Sequence, residues 1–173
     1  NKIGKIIEKE DKAEKITESL KKRIRHVKNC KQETKLKVLA IEWIDPFFTA
    51  GHWVPEMIKE AGGENMISKI GEHSRKLSIE EITKSDPDII IMMPCGFDTF
   101  RTISEYDKIL KDDITWNMLR AVKNKKVFAV DANSYFSKPS IRTITGLEIL
   151  AKIIQPESFL NLTVPENSFS HIK

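Results

Sequence analysis

Glu42, His52 and Cys95 are the residues of this chain whose types can do chemistry, and each sits where an apolar run gives way to polar residues. A carboxylate, an imidazole and a thiol suit a soft or borderline metal. Cys95 as nucleophile with His52 as base would suit covalent catalysis instead. Three donors scattered in sequence form no metal-binding signature, so neither a protein-built metal centre nor a resident cofactor is expected. The plain alternatives are a backbone-bonded His52 at a helix start and a small buried Cys95. Around them stand Trp43, Phe47, Phe48, Trp53, Phe97, Tyr135 and Phe136. Any one of these rings can plug a core. Together they are many for a structural turn, which draws on Gly, Pro, Asn and Asp, and flat apolar faces beside a few polar groups suit a large planar ligand.

The elements that position these residues are readable from periodicity. Leu36 to Ile41, Asp88 to Met93 and Lys126 to Val130 are β-rich apolar runs of the kind found in buried parallel strands. Between them the pattern predicts helices over about 53–61, from Ser78, and around 100–110, 116–122 and 142–154, with a short strand at Asn65 to Ile67. Gly62-Gly63 supplies a left-handed stop for the first of these helices. Ser78 and Glu81 have capping-box spacing, and Asp86-Pro87 ends that helix. Alternating strands and helices predict an α/β fold, a Rossmann-like parallel sheet with helices on both faces. Its strand-end loops, at Glu42-Trp43, Pro94 to Phe97 and Asp131 to Phe136, converge on one rim, where open α/β sheets bind ligands.

Ahead of the sheet, Ile3, Ile6, Ile7, Ala13, Ile16, Leu20, Ile24 and Val27 recur at spacings of three and four. They predict one long amphipathic helix of about 40 Å over residues 1–30. The expected divisions are this connecting helix, an α/β ligand-binding lobe over 31–160 and a tail over 161–173. The 173 residues suit one domain with an appendage.

The net charge of +4 is unevenly spread: residues 1–35 hold 12 Lys/Arg against 6 Asp/Glu, leaving a slightly acidic body. Glu8/Lys12, Asp11/Lys15 and Glu18/Lys22 are spaced to pair along a helix, so the basic excess reads as a solvated helix face. Nucleic acid is not expected as a partner, because no recognised motif or basic-aromatic platform is present. The first strand is not followed by the Gly-rich turn of a dinucleotide site. No apolar run approaches the ~20 residues of a membrane span, and residues 1–30 lack the apolar stretch of a signal peptide. Cys30 and Cys95 define no disulfide framework.

At these residues the chain resembles the cobalamin and iron-chelate substrate-binding proteins of ABC importers, the class with two α/β lobes joined by a helix. The resemblance lies in an ordered set of motifs. These are Pro46, Phe48 and Gly51, Ala61 to Asn65, Leu77 to Ile82 followed by Asp86 to Ile90, Trp116 before Ala121 to Val127, Tyr135 to Pro139 before Arg142, Gly146 to Ala151, and Pro156-Glu157. Glu42-Trp43, Gly51 to Trp53 and Met93 to Phe97 resemble the cobalamin-binding branch. Pro139-Ser140-Ile141-Arg142 departs from the usual Pro-Gly-Pro-Arg loop, and Glu42 and Ser74 stand where the best-known cobalamin binder has aromatics.

The resemblance implies a C-terminal lobe with its connecting helix, an N-terminal lobe lying outside the chain, and an extracytoplasmic location. It implies a binding protein, not an enzyme, that captures a corrinoid between two lobes and hands it to ABC permease subunits. A ferric siderophore or heme is the alternative cargo, and a Cys/His-dependent enzyme the alternative of another class. The expected ligand contacts are Glu42, Trp43, Phe47, Phe48, His52, Trp53, Ser74, Cys95, Phe97, Tyr135 and Phe136. Glu80 matches the acid that docks on the permease. The apolar stripe of the N-terminal helix invites self-association.

Overall fold

A computed structural model describes residues 2–30 and 34–172. In chain order the elements are α1 (Lys2–Ile6), α2 (Glu10–Asn29), β1 (Lys37–Ile44), β2 (Phe47–Thr49), α3 (Val54–Glu60), β3 (Glu64–Asn65), α4 (Ile79–Ser85), β4 (Ile89–Met92), α5 (Thr99–Ile109), α6 (Ile114–Asn117), α7 (Arg120–Lys123), β5 (Val127–Val130), α8 (Ala132–Tyr135), α9 (Thr143–Ile154), a 3-10 turn (Pro156–Phe159) and β6 (Phe169–His171). The sheet runs in the order β2-β1-β4-β5-β6, with β3 beside the start of β1. β1, β3, β4 and β5 are parallel to one another where they pair, and β2 and β6 are antiparallel edges.

The alternation of a β-strand divides the core in two. Val38, Ala40, Ile89, Ile91, Met93, Phe128 and Val130 face one layer, closed by α2, α3 and α9. Leu39, Ile41, Ile90, Met92, Val127 and Ala129 face the other, closed by Ile82, Tyr106, Trp116 and Ala121 of α4 to α7. This is the α/β sheet with helices on both faces that the sequence predicts. At Gly62-Gly63, Gly62 is left-handed at φ 90. Gly62 N–H bonds Lys59 O and Gly63 N–H bonds Ile58 O, which closes α3 in a Schellman motif. Ser78 and Glu81 form the expected capping box.

Five elements differ from the sequence reading. The N-terminal helix is broken, because Glu8 is left-handed at φ 53. Glu8 N–H bonds Lys5 O and Lys9 N–H bonds Gly4 O, a second Schellman closure without a glycine to announce it. Gly4 makes the fold-back possible, since a β-carbon there would lie 2.5 Å from Ala13 Cβ. Glu8 therefore leaves the helical line to Lys12, while Glu18 pairs with Lys21 at 2.8 Å rather than with Lys22. β1 does not open directly into a helix: it turns at Asp45-Pro46, a cis peptide, and returns as β2. The 161–173 segment is not a mere tail, because β6 pairs with β5. The helix expected at 116–122 is two short helices, parted where Leu119 is extended so that its side chain reaches the core. Asn65 Oδ1 accepts from Ile67 and Ser68 N–H, which ends β3 before the two residues expected in it. The expected boundary between the connecting helix and the lobe, at 30/31, adjoins residues 31–33, which lie outside the described residues.

A candidate ligand site at the strand-end rim

Three loops leave the carboxyl ends of the parallel strands and are tied together by backbone bonds. Cys95 N–H donates to Glu42 O at 3.1 Å and Asn133 N–H to Phe97 O at 3.0 Å. Gly96 N–H donates to Ser137 Oγ at 2.9 Å. The pocket they enclose, about 280 Å³, is lined by Glu42, Gly51, His52, Trp53, Val54, Met93, Cys95, Phe136 and Ser137. Val54, Met93 and Phe136 are buried and form an apolar floor. Among the described residues its lining holds no Lys or Arg, and no three His, Cys, Asp or Glu side chains stand close enough to hold an ion.

A fourth segment completes the wall. Residues 71–77 run back along β2: Leu77 N–H bonds Phe47 O, Thr49 N–H bonds Arg75 O, and Gly51 N–H bonds Ser74 Oγ. His52 is fixed at both ends, its N–H donating to Glu72 O at 2.6 Å and its carbonyl accepting from Gly71 N–H at 3.0 Å. These bonds hold it left-handed at φ 57, which costs a residue with a β-carbon roughly 1–2 kcal/mol. Its exposed imidazole lies against the His73 ring, 5.0 Å away and nearly perpendicular, and against Trp53 at 5.7 Å. Cys95 is exposed, not the small buried residue of the plain reading, and no hydrogen bond joins it to His52 among the described residues.

The structure brings together Glu42, His52, Trp53, Cys95 and Phe136 and sends the other candidates elsewhere. Alternation puts Trp43 on the opposite side of β1 from Glu42. There it meets Phe97 edge-on at 5.6 Å in a neighbouring cleft with Asp45, Glu105 and Ile109, and the Arg101 guanidinium lies 3.7 Å over the Phe97 ring. Phe47, half-buried, lies outside the pocket lining and stacks on buried Trp116, centroids 5.5 Å apart. Phe48 is half-buried on β2 and bridges Lys76. Tyr135 packs half-buried against the α9 layer, and the Ser74 hydroxyl is taken by Gly51. His73 and Ser137 went unnoticed in the sequence. Nothing near His73 links it to the rim until residues 71–77 pair with β2.

A family model described as periplasmic binding protein matches residues 1–134. The chain belongs to the periplasmic binding protein family. Its fold is that of this family's solved members: the TroA-like periplasmic binding protein FepB from Veillonella parvula superposes with a TM-score of 0.81 at 19% identity, over 99% of this chain and 59% of that one. The periplasmic heme binding protein HutB of Vibrio cholerae gives 0.73 at 19% identity, over 90% and 61%. In sequence, the high-affinity heme uptake system protein IsdE of Staphylococcus aureus (strain MRSA252) is 28% identical over 116 residues. This periplasmic binding protein chain thus spans about two fifths of the length of the curated relatives it matches, 39% of IsdE. Among its described residues no helix is long and apolar enough to cross a membrane.

Proposed function

We propose that the chain is the lobe of an extracytoplasmic ABC-importer binding protein that carries a planar iron chelate, heme foremost, and performs no covalent chemistry. The observation that carries this reading is the rim pocket, in which an apolar floor and the donors His52 and Cys95 are joined by three strand-end loops. Its volume is at the low end of small-molecule sites. A ligand as broad as a tetrapyrrole therefore seats only part of itself there and leaves its other face to a second lobe. With no triad of donors among the described residues to hold a bare ion, a metal that brings its own chelate suits the pocket better. The similarity to the heme uptake protein IsdE and the heme binding protein HutB favours heme over the corrinoid that the motifs suggested. A corrinoid is the second reading, favoured by Glu42 in a lining without Lys or Arg, which suits a ligand with little negative charge.

Titrating the chain with ferric heme while following tryptophan fluorescence, with cyanocobalamin and a ferric hydroxamate as competitors, tests the proposal. Saturable quenching by heme is expected, weakened severalfold in Trp53→Ala, whose half-buried ring lines the pocket wall. Stronger binding of cyanocobalamin would move the cargo to the corrinoids, and no saturation with any of the three would remove the chelate reading.

A further inference from the structure

We infer that His52 is the residue of this chain that bonds the metal at the centre of the bound chelate, with His73 as the residue that positions its ring; the inference rests on reading the rim pocket as a chelate site. A mere turn at position 52 would be served with less strain by glycine or asparagine. Instead an imidazole occupies a left-handed backbone, held there by Glu72 O on one side and Gly71 N–H on the other. Strain that the surroundings over-determine in this way marks positions where a side chain's placement matters more than local stability.

The ring itself is ready to donate. Among the described residues neither of its nitrogens makes a hydrogen bond, it is exposed on the pocket wall, and Trp53 and His73 limit its swing from two sides. Imidazole is the commonest protein donor to a transition metal and a frequent axial ligand of heme iron. The other donors fit less well. Glu42 is a hard oxygen ligand, the Met93 thioether is buried in the floor, and Cys95 lies on a loop at a position with ordinary backbone strain. A chelated metal has its equatorial positions filled, so one well-held axial donor from this lobe is enough.

The test uses ferric heme and optical and electron paramagnetic resonance spectra of the whole chain, with tryptophan quenching as an independent measure of binding. Wild type and His26→Ala are expected to share a histidine-ligated spectrum. His52→Ala and His52→Gly lose it, bind at least tenfold more weakly, and regain it when free imidazole is added. His52→Gly melts no lower than wild type, because glycine accepts the left-handed backbone, so its loss of ligation cannot be unfolding. His73→Phe keeps the ring wall and the spectrum, whereas His73→Ala gives a mixture of ligation states. Heme bound to His52→Ala with an unchanged spectrum overturns the inference and leaves the chelate reading standing, as does a spectrum that changes only in Cys95→Ser. A spectrum lost equally in His26→Ala marks adventitious surface ligation and also overturns it. Failure of wild type to bind heme saturably removes both.

Discussion

Gly51 is the residue the rim can least spare. A β-carbon there would lie 2.5 Å from Ser74 N, 2.7 Å from Glu72 O and 2.7 Å from His73 C, all backbone atoms that no rotamer change can clear. Gly51→Ala must lift residues 72–74 away from β2 and release the clamp on His52. Overpacking of this kind costs about 1–3 kcal/mol. The expected outcome is a lower melting temperature together with weaker heme binding, read by thermal melting and fluorescence titration. Phe47 separates packing from binding. Phe47 stacks on Trp116 in the layer away from the pocket, so Phe47→Ala should cost about 2–3 kcal/mol in a denaturant melt. It should leave ligand affinity unchanged at temperatures where the variant is folded. A fall in affinity there would extend the site to a face where the structure puts core.

At the scale of elements, α4 is pinned by its first turn. Ser78 Oγ accepts from Glu81 N–H at 3.2 Å and the Glu81 carboxylate accepts from Ser78 N–H at 3.0 Å, while Arg75 pairs with Glu81 at 2.8 Å. Ser78→Ala should cost about 1 kcal/mol. A hydrogen bond from Ser78, then one from its own backbone N–H, holds the Glu80 carboxyl below its usual range. Arg75, then the Ser78 N–H, does the same for Glu81. A lowered folded-state pKa means stability that is present above the unfolded value, about 4.3 for glutamate, and lost as pH falls through the lower folded value. Amide exchange in α4 should therefore quicken as the pH drops below about 4, and in Ser78→Ala, which removes the bond that lowers Glu80, exchange should be faster at neutral pH and change less on acidification. Glu80 is exposed, yet it leans on Ser78 instead of standing free, and Glu81 is committed to Arg75. Glu80 is thus the more available acid for the proposed permease contact. Glu80→Arg should spare ligand affinity and abolish stimulation of the transporter's ATPase, since like charges would then face each other. Normal stimulation would send the docking surface elsewhere. On the other side of the sheet, Arg23 of α2 grips Glu148 of α9, with Nε to Oε1 at 2.9 Å, and reaches Thr145 Oγ1 at 2.9 Å. Glu148 is buried and the guanidinium partly open to solvent. Glu148→Ala should cost about 2 kcal/mol after allowing for that exposure, and loosen α2 from the lobe.

For the whole molecule the salient feature is an uncovered apolar face. Ile3 and Ile6 of α1 are 75% and 80% exposed. The groove between α1 and α2, about 760 Å³, is floored by Ile7, Ala13, Ile16, Leu20 and Ile141 and edged by Lys2, Lys9 and Lys12. Contiguous apolar surface of this kind is an association site. The chain on its own should self-associate through it. Sedimentation should show a mass that rises with concentration and returns to that of a monomer in Ile16→Lys. A strict monomer at high concentration, unaltered by that substitution, would leave this face without a role in self-association.

Local signals in the sequence determine the sheet layers, the α3 stop and the α4 cap. Alternation, glycine tolerance of a left-handed backbone and capping-box spacing each act within a few residues, so they survive without the rest of the fold. The motif resemblance, likewise a local pattern kept in order, reached the family. Tertiary structure alone decided what non-local pairing controls: the antiparallel edges β2 and β6, the fold-back of α1 on Gly4 and Ala13, and the course of residues 71–77 that brings His73 to His52. It also split the aromatic cluster. Glu42 and Trp43 are neighbours in sequence and opposite each other across the sheet, because successive side chains of a strand point to opposite faces. Composition pointed to the strand-end rim, and register decided which of its residues share the pocket.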